Sequence, residues 1–206
     1  MTNSIQKIGR VSSESVKKHT KRSWDQWIAL LDNTGAKNWP HREITLLLKT
    51  KYKLSPWWQQ GVAIGFEIHH GLRIEGRSEK GTYGTVASKT FPLSAKKAWA
   101  LVSKDPGLSI WLRPFTAFEW KKGKGFEVDG GIFGEVRTVK PGQRIRLSWQ
   151  EENWKKPSVL QLQIVPREGE KCMIVLQHEG LPNNLARTKL RDHWKAALNE
   201  LRNAVR

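Results

Sequence analysis

Cysteine is almost missing from this sequence: Cys172 is the only one in 206 residues. An internal disulfide is therefore excluded, and a lone thiol suits a reducing compartment. No run approaches the roughly 18 apolar residues of a membrane-spanning helix. The opening stretch MTNSIQKIGRVSSESVKK also lacks the apolar core of a signal peptide. The expected location is the cytoplasm. Phosphate-loop motifs are absent too. Neither GxxxxGKS/T nor GxGxxG occurs, and the glycines of KKGKGFEVDGG fall between strand-like runs rather than ahead of a helix. His69 and His70 are adjacent, so on a helix they diverge by about 100° and do not chelate one metal. With a single cysteine elsewhere, neither a metal site nor a cofactor is expected.

Acidic residues are scarce. Nineteen Asp and Glu stand against 36 Lys and Arg, for a formal charge of +17. Such a balance invites a polyanionic partner. The excess is spread, however: residues 1–80 hold 14 basic and 7 acidic side chains (+7), residues 81–206 hold 22 and 12 (+10). The pairs Lys17-Lys18, Lys96-Lys97, Lys121-Lys122 and Lys155-Lys156 read as solvated faces. What the chain has in quantity is tryptophan, with 11 residues. So many large rings imply extensive burial, aromatic-lined pockets, or both.

The last stretch, NNLARTKLRDHWKAALNELRNAVR, organises the rest. Leu190, Trp194, Ala197, Leu198, Leu201 and Val205 recur at helical spacing and form one apolar stripe. A helix of that length cannot bury its stripe alone. The runs before it alternate with a period of two: Ile145, Leu147 and Trp149; Leu160, Leu162 and Ile164; Ile174, Leu176 and His178. Turn residues separate several of them, namely Gly123 and Gly125, Asp129-Gly130-Gly131, Pro141-Gly142 and Glu168-Gly169. TVASKTF, AFEW, FEV, IFGEVRTV, RIRLSW, SVLQLQIV and CMIVLQHEGL are the strand candidates. Ser94 caps a helix through Ala98, Trp99 and Val102, and DPGLSIWL suggests a further turn of helix around Trp111. The pattern predicts an α+β domain, a curved antiparallel meander closed over the C-terminal helix.

The first seventy residues read differently. The first dozen are polar and aperiodic and are expected to be loose. A short helix over Glu14–His19 precedes one capped by Ser23, with Gln26 in capping-box position. Two more follow, one near Pro40–Tyr52 and one opened by Ser55-Pro56 and running from Trp57 to His70. The fourth helix is apolar nearly all round, which marks the centre of a small all-α domain. Gly61 and Gly65 on it allow a neighbour to approach closely. The expected organisation is a helical domain over 1–75, a linker over 76–81, and a second domain over 82–206.

The order strand, helices, meander and long terminal helix resembles the helix-grip fold of the SRPBCC (START-related) superfamily. Within it, KTFPLSAKKAWALVS, GEVRTVKPGQRIRLSWQ, LQHEGLP and DHWKAALNELR are similar to the branch of the C-terminal domain of the heat-shock chaperone ATPase activator. The helical segments SWDQWIALLDNTGAKNWPHREITLLLK and SPWWQQGVAIGFEIHHGLR resemble a small bacterial domain of unknown function. The superfamily resemblance implies a cavity between the helix and the concave sheet face, often used for lipids, polyketides or other hydrophobic molecules. A few members are cyclases or hydrolases, and many bacterial members of this branch have no assigned activity.

Candidate ligand-binding residues are Trp111, Phe118, Trp120, Phe133, Trp149, Leu162, Leu176, His178, Trp194 and Leu198. The aromatic ones either line a cavity or fill the core. His178, expected to point inward, either acts on a ligand or is a satisfied core hydrogen-bonder. Glu119, Glu135 and Arg137 on nearby runs have no spacing rule that pairs them with it, so no catalytic residue is assigned. The alternative partner is nucleic acid, with helices 40–52 and 57–70 as a helix-turn-helix, Lys49, Lys51 and Lys53 on phosphates, and Gln59 and Gln60 on bases. Against it, the helix that would read the bases begins with two tryptophans and is apolar throughout. A small hydrophobic molecule is the favoured partner. The sequence does not fix an oligomeric state.

Overall fold

A computed structural model describes residues 4–78 and 80–205. The chain divides into two compact units, Met1–Glu75 and Gly76–Arg206.

The first unit opens with a two-residue hairpin, β1 (Lys7–Ile8) and β2 (Val11–Ser12). The loose terminus expected there is thus corrected for residues 4–12, while residues 1–3 lie outside the described ones. Gly9 turns the hairpin at a φ of 55°, and Ile8 reaches the core. Four helices follow: α1 (Ser13–Thr20), α2 (Trp24–Asn33), α3 (His41–Thr50) and α4 (Pro56–His69). The predicted capping box is present, with Ser23 accepting from the Gln26 backbone and Gln26 accepting from the Ser23 backbone. Helix α4 buries Trp58, Val62, Ala63, Gly65, Phe66 and Glu67, so it packs on several sides at once. Gly65 is needed for this: a Cβ there would lie 2.2 Å from the Trp24 ring.

The second unit has a six-stranded antiparallel sheet, whose strands are β3 (Tyr83–Phe91), β4 (Gly125–Val128), β5 (Ile132–Lys140), β6 (Arg144–Glu151), β7 (Ser158–Arg167) and β8 (Lys171–Leu181). They run in the order β3-β8-β7-β6-β5-β4, so β4 to β8 form a meander and β3 pairs with its end. Between β3 and β4 lie α5 (Ala95–Ser103) and α6 (Gly107–Leu112). Helix α7 (Asn184–Asn203) ends the unit, started by Asn183, whose side chain accepts from the Ala186 backbone at 2.8 Å. Its stripe of Leu190, Trp194, Ala197, Leu198 and Leu201 is buried in one core with the inward side chains of the sheet. At about 1.5 Å per residue the helix runs roughly 30 Å.

AFEW is not a strand, and the meander therefore has five strands rather than six. Its side chains explain why. Trp120 donates its indole N–H to the Ser103 carbonyl at 2.8 Å, and Phe118 packs on both Trp120 and Phe126. The segment is held by its rings, across the sheet end, instead of by a ladder. Of residues 76–81, read from the sequence as a linker, the described ones fold back on the start of β3: Gly84 donates to the Gly76 carbonyl, and Gly81 to that of Ser78.

Candidate functional site

Strand alternation and helical period bring three rings together at the middle of the second unit. Trp149 of β6, His178 of β8 and Trp194 of α7 are fully buried. The Trp149 and Trp194 rings meet edge-on at 5.4 Å, and His178 lies 5.8 and 5.7 Å from them. Leu162, Leu176, Leu198 and Trp111 are buried in the same cluster.

The hydrogen bonds fix the protonation of His178. An indole N–H only donates, so Nδ1 must accept from Trp194 Nε1 at 3.3 Å. Ser158 Oγ donates to the Trp149 carbonyl at 2.7 Å and thus accepts from Nε2–H, also at 2.7 Å. The imidazole is neutral, with its proton on Nε2. Burial, and then the nearby His193, pushes its pKa down to about 3. Both ring nitrogens are engaged, which is the geometry of a core hydrogen-bonder. A general base has a ring nitrogen open to substrate and a pKa nearer the working pH. Beside it, the buried Trp149 Nε1–H has no hydrogen-bond partner.

The open space lies further along the sheet. A groove of about 820 Å³ runs between residues 114–117 and the β4–β5 hairpin. Phe115, Phe126 and Phe133 line it, with Gly130, Gly131 and Gly134. Phe115, Phe118, Phe126 and Trp120 form a continuous run of ring contacts. The wall is tied by Asp129, whose backbone N–H donates to the Pro114 carbonyl at 3.0 Å. Gly134 lets both β6 and the Phe126 ring come close to it, since a Cβ there would sit 2.1 Å from the Ser148 carbonyl oxygen and 2.7 Å from the ring. Glu127 and Asp129 add polar groups to the lining.

Arg113 stands beside this groove in an unusual backbone conformation, φ 89° and ψ 163°. That region is nearly reserved for glycine, and a side chain there stores about 1–3 kcal/mol of strain. Its guanidinium approaches Gly130, where a Cβ would lie 3.7 Å from Nη1. Its buried Nε has no hydrogen-bond partner. Burial, with the charges of Arg113 and Lys189 behind it, lowers the pKa of His193 to about 4.

The residues predicted from sequence thus fall into two sets. Trp111, Trp149, Leu162, Leu176, His178, Trp194 and Leu198 form the buried centre. Phe118 and Trp120 are partly buried at the groove end. Phe133, expected to face the core, is 43% exposed and lines the groove. The core phase of β5 belongs to Ile132 and Val136, which puts Phe133 on the opposite one. Phe115, Phe126 and Arg113 were not picked out in the sequence. The DGG turn of the β4–β5 hairpin was the one local sign of a structured wall there. Among the described residues no group of His, Cys, Asp and Glu is placed to hold a metal ion, and no helix is long and apolar enough to cross a membrane.

Residues 92–206 match the family described as activator of Hsp90 ATPase homolog 1-like protein. No curated protein matches the chain. Among solved structures, CalU16 from Micromonospora echinospora is similar at 20% identity and a TM-score of 0.53, over 63% of this chain and 78% of that one. The Aha1 dimer from Colwellia psychrerythraea is similar at 13% identity and a TM-score of 0.50, over 59% and 95%. CV1439 from Chromobacterium violaceum gives 15% and 0.50, over 59% and 96%. At these identities the likeness is one of fold.

Proposed function

This chain belongs to the activator of Hsp90 ATPase homolog 1-like protein family, and on that footing we propose that its second unit binds a small hydrophobic molecule of lipid or polyketide type. The binding is non-enzymatic or carries at most a weak activity. The helix-grip fold holds its ligand between the sheet and the terminal helix. Here the ligand enters from the aromatic groove beside the β4–β5 hairpin. The observation that carries this reading is the contrast between the packed core and the open groove beside it. The centre is occupied by Trp149, His178 and Trp194 in mutual contact, while Phe115, Phe126 and Phe133 line an open space of about 820 Å³. A concave aromatic surface of that size is the usual setting for a small-molecule site.

One polar group gives such a ligand an orientation. Arg113 offers a guanidinium at one wall of the groove. The body of the ligand then rests on the phenyl rings, and a carbonyl or hydroxyl meets the guanidinium.

The test is thermal unfolding of the wild type and Phe133→Ala across fatty acids, flavonoids and small polyketides. A ligand that binds only the folded state raises the melting temperature. At least one class should raise it in the wild type and less in the variant. If no compound shifts the wild type, the reading is wrong.

A further inference from the structure

The first unit carries a surface that its packing does not explain. Trp57, at the start of α4, is 63% exposed. Its neighbour Trp58 is nearly buried and touches it edge-on at 4.5 Å, while His19 from the end of α1 stacks on Trp58 at 5.0 Å. The end of α3 reaches the same corner. Arg22 lies over both Trp27 and Tyr52, at 5.3 and 5.4 Å, and Lys51 lies over Tyr52 at 5.7 Å. Three chain segments thus converge where α1 and α3 end and α4 begins.

The charge at this corner has one sign. Lys17, Lys18, Lys21, Arg22, Lys49, Lys51 and Lys53 lie in or just after the last turns of α1 and α3, and no Asp or Glu occurs over residues 15–24 or 44–66. None of the seven is in an ion pair among the described residues. Helix dipoles account for part of this, because cations near a helix C-terminus are stabilised. They do not account for the lysines at the two left-handed junctions, Lys21 at φ 64° and Lys53 at φ 54°. Glycine or asparagine meets those angles at lower cost. Nor do they account for an indole left in water.

We propose that this corner binds single-stranded nucleic acid, with a base stacked on Trp57 and the backbone phosphates on the surrounding lysines. A flat ring amid unpaired cations is the combination that tracks a single strand without reading its sequence. A helix reading a duplex groove would need free polar side chains on its face. The two candidates for that role are occupied: Gln59 donates to the Leu54 carbonyl, and the Gln60 side chain bonds His41. A membrane surface fits less well, since one projecting indole is not the continuous apolar face that lies in a bilayer interface.

The experiment is fluorescence anisotropy of labelled 20-mers of dT and rU with the full chain, over a series of salt concentrations. Phosphatidylserine vesicles are measured in parallel. Binding at low salt should weaken with rising salt, with a log–log slope of roughly −0.7 for each phosphate met. Trp57→Ala should weaken it roughly 5- to 150-fold, the range for losing one stacked base, while the melting temperature stays put because the side chain is exposed. Lys51→Glu with Lys53→Glu should make the slope shallower. Equal affinity of Trp57→Ala and wild type for the oligonucleotides would overturn the proposal. So would binding to vesicles with none to the oligonucleotides.

Discussion

Trp194 of the terminal helix donates its indole N–H to Nδ1 of His178 on the last strand, at 3.3 Å. That bond ties the helix to the sheet and fixes the imidazole as a neutral acceptor. Around it the rings of Trp149, His178 and Trp194 are in contact and fully buried. Trp194→Ala should therefore cost about 3–5 kcal/mol, the loss expected for a large aromatic in packed core. Urea unfolding measures it. A loss near 1 kcal/mol would mean that the indole borders a void.

The same relationship sets a pH dependence. Burial, and after it His193, brings the pKa of His178 from an ordinary 6.5 to about 3 in the folded protein. The folded value lies below the unfolded one, so the native state resists the proton. Its stabilisation is full above pH 6.5 and is lost as the pH falls from 6.5 toward 3. The slope is about 1.4 kcal/mol per pH unit for one such group. His193, lowered to about 4, acts with the same sign. Urea midpoints between pH 7 and 5, above the carboxylate range, should fall in the wild type and fall less in His178→Gln. Parallel curves would contradict the assignment.

In the helical unit the test is steric. A Cβ on Gly65 would lie 2.2 Å from the buried Trp24 ring. Alanine favours a helix by about 1 kcal/mol over glycine, yet Gly65→Ala should destabilise, by about 1–3 kcal/mol of overpacking. Thermal unfolding decides it, and a stabilised variant would contradict the packing of α2 on α4.

We propose as well that the second unit folds alone. Gly84 donates to the Gly76 carbonyl, and a Cβ on Gly76 would run into the Arg187 side chain. A fragment should therefore begin at Gly76 rather than at Thr82. Fragment 76–206 should give a cooperative thermal transition by circular dichroism. A chain without one would refute the proposal.

How much of this was legible beforehand follows from which signals are local. The contact of Trp194 with Trp149 and His178 follows from two periods, 3.6 along the helix and 2 along the strands, and both were readable. The phase of Phe133 was readable too. In IFGEVRTV it alternates with Ile132, Gly134 and Val136 and keeps company with Glu135 and Arg137, a polar set. Its size, not its phase, suggested a core role. AFEW carries strand-like residues, but Trp120 reaches back 17 positions to the Ser103 carbonyl, and no local pattern encodes that bond. The groove is tertiary in the same sense. It needs the backbone of Arg113 held at φ 89° and the close packing of Gly134 on β6.

Native mass spectrometry of the purified full chain tests the ligand-binding claim most directly. The account predicts a population heavier than the polypeptide by one small hydrophobic molecule, diminished when Phe115 and Phe133 are both replaced by serine. Only the bare mass, in wild type and variant alike and after incubation with fatty acids, flavonoids and polyketides, would contradict it.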